Sequence, residues 1–280
     1  MAYTNKIGII QDISGFFNEK EKYLIDLMTD AGLKTVQLFS HDVSLMTEEN
    51  AEKLLKMTEG KLEITSLWCG WSGPQVWNFI DGPGTLGLVP EAYRGIRLAE
   101  LKKGADFAQR LGVHNMATHV GFVPEQPCYG EYRGLVSAVR DIAQYCKKKD
   151  IYFNFETGQE TPVTLMRLFS DVGADNLGIN LDPANLIMYG RGNPIDAISI
   201  YGDKIRGVHV KDGDYPKEDF HKLGKELVVG EGSVNYPVFL PKLLASGYKG
   251  DLYIEHEIEG ADRAEDVKKT IKYIKALMQQ

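Results

Sequence analysis

Cysteine is scarce in this chain. There are three in 280 residues, Cys69, Cys128 and Cys146, with no C-x-x-C spacing among them. An odd, sparse set of this kind is more often reduced thiols than a disulfide framework, so a cytoplasmic location is expected. Clusters of basic residues are also absent: 32 Lys and Arg against 39 Asp and Glu leave a formal charge of -7, and no Lys/Arg-rich block interrupts the sequence. The electrostatic footprint needed to hold a phosphate backbone is missing, which argues against nucleic acid as a partner. Long apolar runs are lacking too. The opening "MAYTNKIGIIQD" carries an apolar run of only four residues before Gln11 and Asp12, far short of a signal-peptide core or a membrane span, so no membrane partner is expected. No low-complexity tract or linker-like Pro/Gly/Ser stretch divides the chain.

What is present is enough apolar material for a large core, 43% of residues, and the expectation is one domain over residues 1–280. Short β-rich runs alternate with amphipathic segments from end to end. The runs are "KIGIIQ" (6–11), "KTVQLF" (34–39), "EITSLW" (63–68), "NMATHV" (115–120), "IYFNFE" (151–156), "LGINLD" (177–182), "IRGVHV" (205–210) and "DLYIEH" (251–256). Helix-like stretches lie between them, from 19–32 to 262–278, and "NPIDAISIYG" (193–202) has the weakest pattern. Strict alternation implies parallel strands and right-handed crossovers, and eight units in this length predict an α/β fold of the closed (βα)8 TIM-barrel type, with an open doubly wound sheet as runner-up.

In a barrel the inner face of each strand carries function at its carboxyl end. Alternation places Phe153 and Phe155 outward and Tyr152, Asn154 and Glu156 inward. In the next strand Leu177, Ile179 and Leu181 face out while Asn180 and Asp182 face in. His209 and Glu255 are inward on the last two. Singly, each has an ordinary reading: a solvated strand-end Glu, a hydrogen-bonded core His, an Asp holding the turn before Pro183. Jointly, three carboxylates and one imidazole converge on one volume, and such charges need a cation. An oxygen-rich set with one nitrogen and no thiolate suits a fairly hard divalent ion, Mn²⁺ or Mg²⁺ first, with Co²⁺ or Zn²⁺ also accommodated.

Other residues carry weaker signals. His119 is inward at the end of its strand and is either a substrate contact or a satisfied barrel-mouth histidine. Lys211 and Asp212 follow His209, with a loop salt bridge as the alternative to substrate contact. Asn154 is placed to orient the Glu156 carboxylate or a substrate hydroxyl. Trp68, Trp71 and Trp77 supply either an apolar wall for a sugar ring or a helix-packing patch. His41, His114, His221 and His256 read as structural or surface residues. "GEGSVNYP" (230–237) resembles a phosphate cradle but lacks the Lys and spacing of a P-loop.

Together "FETGQETP", "NLDPANLIMYGRGNP", "GVHVKDGD" and "VGEGSVNYPVFLPKL" with "SGYKGDLYIE" resemble the sugar phosphate isomerase/epimerase family, whose members have a xylose isomerase-like barrel. The resemblance covers essentially the whole chain and is densest over 151–258. It implies a divalent ion, often Mn²⁺, on Glu156, Asp182, His209 and Glu255, with the two glutamates also moving the proton of a small-molecule sugar substrate. Two departures stand out: Asn185 replaces a substrate-contacting His three residues after the Asp ligand, and Lys211 with Asp212 stands where the family's ketose epimerases have an Arg. A free ketohexose is therefore not the expected substrate. Isomerisation, epimerisation and, as with relatives that open 3-keto-glycosides, elimination all remain open. Metal-dependent abasic-site endonuclease and non-catalytic sugar-binding barrel are the remaining alternatives, and the sequence leaves a homo-oligomer open.

Overall fold

The computed structural model describes residues 4–18, 25–26 and 28–279. Seven strands follow one another as β1 (Ile7–Asp12), β2 (Thr35–Ser40), β3 (Glu63–Cys69), β4 (Asn115–Thr118), β5 (Tyr152–Glu156), β6 (Leu177–Leu181) and β7 (Ile205–Val210). A short antiparallel hairpin, β8 (Asp212–Asp214) and β9 (Lys225–Leu227), precedes the last stave, β10 (Leu252–Ile254). The order β1-β10-β7-β6-β5-β4-β3-β2 closes on itself, and every stave pairs in parallel with its neighbours. Closure removes the open doubly wound alternative. Several strands stop short of the predicted ends, so His119, Asp182 and Glu255 lie just beyond them.

The helices form where local chemistry permits. Thr161 caps Pro162–Val172 by accepting the Thr164 N–H, and Gly173 ends that helix at φ 67°, a conformation that favours glycine. The weakest predicted segment is a helix, Pro194–Tyr201, capped by Asn193. The first predicted outer helix, 19–32, lies partly outside the described residues; 25–26 and 28–30 within it are helical. No helix among the described residues is long and apolar enough to cross a membrane.

Phe153, Phe155, Ile179, Leu181, Val208, Val210, Leu252 and Ile254 face outward into the apolar layer between barrel and helices. The inner face is amide-rich, and glycine makes room for it. A Cβ at Gly178 would sit 2.2 Å from Asn154 Oδ1, and one at Gly207 would sit 2.5 Å from Asn180 Oδ1. Small residues on some staves thus pair with amides on their neighbours, which fills the barrel without a pore.

The long segment after β3 carries the tryptophans and is held by a buried cation. Arg97, fully buried on the helix Glu91–Arg110, donates to Ser72 O at 3.1 Å, Gly87 O at 2.8 Å and Pro74 O at 3.0 Å, and its guanidinium lies over Trp71 and Tyr93. The Gly87 carbonyl is buried and loses its donor if Arg97 is removed. Arg97→Met is expected to lower the unfolding free energy by about 3 kcal/mol and to expose the segment 72–88 to protease; urea melts and limited proteolysis check both.

Candidate active site

Four adjacent staves, β5, β6, β7 and β10, bring Glu156, Asp182, His209 and Glu255 together. One candidate ligand atom from each lies within 4.8 Å of every other. His209 Nδ1 is 2.9 Å from Glu255 Oε2, 3.3 Å from Glu156 Oε1 and 3.8 Å from Asp182 Oδ2.

Neighbouring groups aim each side chain. Asp182 N-caps the helix Pro183–Met188: its Oδ1 accepts the Asn185 N–H at 2.9 Å, which turns Oδ2 into the cluster. Thr157 Oγ1 clamps the Asp182 peptide, accepting its N–H and donating to its carbonyl, both at 2.9 Å. His209 Nε2 meets Gln37 Oε1 at 2.8 Å, with the Asn180 amide alongside. Gln37 donates to Ser66 Oγ from its nitrogen, which turns its oxygen to the imidazole; with Nε2 held between Gln37 Oε1 and Asn180 Nδ2, Nδ1 is presented to the carboxylates. Glu156 accepts from Trp68 Nε1 on one oxygen and from Asn185 Nδ2 at 3.3 Å on the other, where His119 Nε2 also lies at 3.3 Å.

Asp182 Oδ2, His209 Nδ1 and Glu255 Oε2 are buried, face the same volume and, among the described residues, find their charged partners only in one another, in Glu156 and in Lys211. Charges taken out of water in this way are costly unless matched. These atoms on one centre, with Glu156 as a fourth ligand, fit a divalent cation, and the O/O/O/N set matches the hard to borderline ions. Charge follows the same logic. Burial pushes the Asp182 carboxyl up to about 6, with Glu255 adding to it against the pull of His209 and Lys211. Glu255, despite burial, is drawn down to about 2 by Lys211 and His209. His209 is held well above the usual imidazole range because Glu156 and Glu255 outweigh its burial. A proton on His209 thus supplies positive charge that a cation can replace.

Glu156, His209 and Glu255 line a cavity of about 570 Å³, and Asp182 is not part of its lining. Phe39, Trp68, Trp77 and Tyr189 contribute aromatic surface; Lys211, Glu255 and Glu257 contribute charge. His119, Asn185, Trp68 and Lys211 all line it. Trp71 does not: it stands behind Trp68 and Trp77, at centroid distances of 6.0 and 6.4 Å. Asn154 also lies outside the lining, lower in the barrel, donating to Asn115 Oδ1 at 3.2 Å. Asp212 makes neither a substrate-facing contact nor a salt bridge. Its carboxylate accepts the N–H groups of Gly213, Gly230, Gly232 and Val234 at 2.9–3.1 Å. The glycine-rich 230–234 loop is therefore a cradle, but for an internal carboxylate.

His41 and His256, read from sequence as structural or surface, line the cavity; His256 Nε2 lies 3.0 Å from Asp266 Oδ2. Once the strand ends at Ile254, alternation no longer says where the next side chain points. The sequence reading placed Asn180 inward without giving it a role and did not single out Gln37, Glu226 or Glu257. Gln37 was findable as an inward polar residue, but the convergence of Gln37 and Asn180 on His209 is a cross-barrel contact that no local pattern encodes.

The xylose isomerase-like TIM barrel family model matches residues 25–277. A xylose isomerase domain protein from Planctomyces limnophilus is 30% identical, with TM-score 0.89 over 99% of this chain and 98% of its own. A D-tagatose 3-epimerase-like protein, 20% identical, has TM-score 0.71 over 98% of this chain and 97% of that one. A xylose isomerase-like barrel from Mycobacterium smegmatis in complex with magnesium, 17% identical, has TM-score 0.71 with the same coverage. At these identities the last two show the fold alone. An uncharacterized protein from Methanocaldococcus jannaschii is 25% identical over 195 residues, 64% of this chain and 63% of that protein's length.

Because His209 is protonated below its raised pKa, a metal ion must displace that proton, and Asp182 joins the competition as pH falls toward about 6. Divalent-ion affinity is therefore expected to fall as pH drops below neutrality, with proton release on binding at about pH 7. Calorimetry in two buffers of different ionisation heat measures the release; affinity flat between about pH 5 and 7, with no proton released, would contradict the assignment.

Proposed function

The chain belongs to the xylose isomerase-like TIM barrel family, and from that premise we propose that it is a divalent-metal-dependent sugar isomerase or epimerase that removes a proton next to the carbonyl of a keto-sugar or related polyol. The observation that carries this reading is the buried cluster of Glu156, Asp182, His209 and Glu255 at the carboxyl end of the barrel, with one candidate ligand atom from each within 4.8 Å of every other. Glu156, Asp182, His209 and Glu255 would hold the ion, with Mn²⁺ the first choice and Mg²⁺, Co²⁺ or Zn²⁺ also suited to the donors. When bound, the ion supplies Lewis-acid stabilisation of negative charge on the substrate oxygens.

The protein side chains do the rest. Glu156 is the base: burial opposes its charge, but His119 and His209 hold its carboxyl well below the usual range, so it meets the substrate ionised. The Trp68 indole N–H and the Asn185 amide fix its two oxygens. Asn185 thus acts on the carboxylate, a different job from the substrate contact of the imidazole it replaces. Glu255 is the second proton-handling group. The Trp68 and Trp77 surfaces give a sugar ring an apolar face to rest on and keep bulk water from the reacting carbon. Proton return to the opposite face gives epimerisation, and return to the neighbouring carbon gives isomerisation. Where the adjacent carbon carries a leaving group, the same deprotonation leads to elimination, the lyase alternative.

Glu156→Gln is expected to slow solvent-deuterium incorporation at the substrate α-carbon by roughly 100-fold or more, the usual worth of a positioned base, while divalent-ion binding persists. NMR of ketoses, keto-inositols and 3-keto-glycosides incubated with Mn²⁺ in D₂O reads the rate. Wild-type exchange by a metal-loaded Glu156→Gln protein would remove Glu156 from the role.

A further inference from the structure

Lys211 is the cavity's ammonium, and it is already occupied. Its side chain is only 3% exposed, and Nζ pairs with Glu257 while lying 3.5 Å from Glu255, 3.8 Å from Glu226 and 3.9 Å from Asp182. These carboxylates come from the ends of β6 and β10 and from β9, so one ammonium ties three parts of the rim together. Glu226 Oε1 also accepts the Glu257 N–H at 2.9 Å, which closes the hairpin against the end of β10. The lining's other fixed cation, Arg263, donates to Ile10 O at 3.0 Å, and His256 faces Asp266. The carboxylates on the cavity wall are Asp12, Glu156, Glu255 and Glu257.

We propose that Lys211 and its carboxylates Glu226 and Glu257 are specificity-determining residues that make this cavity select uncharged, hydroxyl-rich substrates and reject those bearing a phosphate or carboxylate. This rests on the proton-abstraction reading above and deepens it. Lys211 stands where an incoming anion would look for a partner, yet four carboxylates already surround it. An anionic group entering the mouth must displace Glu257 from Lys211 and then sit beside Glu255 and Glu226. Like charges brought together at this separation repel, least screened beside Glu255 and Glu226, whose side chains are largely buried. Neutral hydroxyls face no such barrier and can accept from or donate to the same groups.

The test compares unphosphorylated ketoses with their phosphate monoesters, using solvent-deuterium incorporation with Mn²⁺ present. The parent sugars are expected to exchange roughly 100-fold faster than the esters, and a Glu226→Gln, Glu257→Gln double variant is expected to narrow that gap about tenfold by releasing the ammonium. An ester exchanging as fast as its parent overturns the proposal. A second measurement does not depend on turnover: calorimetric titration of the metal-free chain with inorganic phosphate. No binding is expected below about 10 mM in wild type, with binding gained in the double variant. Sub-millimolar phosphate binding by wild type that disappears in Lys211→Met also overturns it. If no sugar in the panel exchanges, the parent reading fails on its own, and the phosphate titration still decides this one.

Discussion

Three carboxylates crowd one imidazole in a volume almost closed to water, and most of the barrel mouth is arranged around that crowding. Each charge would be intolerable there alone. The compensation is distributed: the helix N-terminus at Pro183 takes one oxygen of Asp182, the indole of Trp68 and the amide of Asn185 take those of Glu156, and Lys211 stands against Glu255. What is left over is one atom each on Asp182, His209 and Glu255 that makes no hydrogen bond outside the cluster and faces the others across it. A site braced on the outside, with its ligand-type atoms turned toward one another at the centre, has the arrangement that could hold a cation.

The barrel does this with little help from long elements. β10 spans only Leu252–Ile254, yet it carries Tyr253 inward and delivers Glu255 one residue past its end. Glycines at 178 and 207 let inner-face amides lie against neighbouring staves, which brings Asn180 and Gln37 to His209. The loop after β7 is organised from within: Asp212 gathers four backbone N–H groups and so fixes the hairpin that brings Glu226 to Lys211. Arg97 plays the corresponding part on the opposite side, holding the tryptophan segment by its carbonyls.

The barrel and its four-residue cluster were legible because both follow from period-two alternation on strands whose carboxyl ends must meet. Phe153, Phe155, Ile179 and Leu181 read outward and pack outward; Glu156 and His209 read inward and meet. Legibility stopped where the strands did. His256 turns toward the cavity although alternation would send it away, because β10 has ended two residues earlier. Asn154 is inward as read but too deep to reach the mouth, since the strand face carries no information on depth. Asp212 and Lys211 are adjacent in sequence, but one anchors a glycine loop and the other four acidic groups, a division that depends on contacts 15–46 residues apart along the chain. The caps gave a further lesson: Asp182 is both the turn residue of the ordinary reading and a member of the cluster, because its two oxygens face different ways.

The central claim is that these four side chains form one divalent-cation site. Its most direct test is the metal content of the purified chain after reconstitution with Mn²⁺ and desalting, compared with Asp182→Ala checked by circular dichroism for retained fold. The account predicts about one tightly held ion per wild-type chain and essentially none in the folded variant. A wild-type chain that retains no divalent ion, or an Asp182→Ala chain that retains as much as wild type, would contradict it.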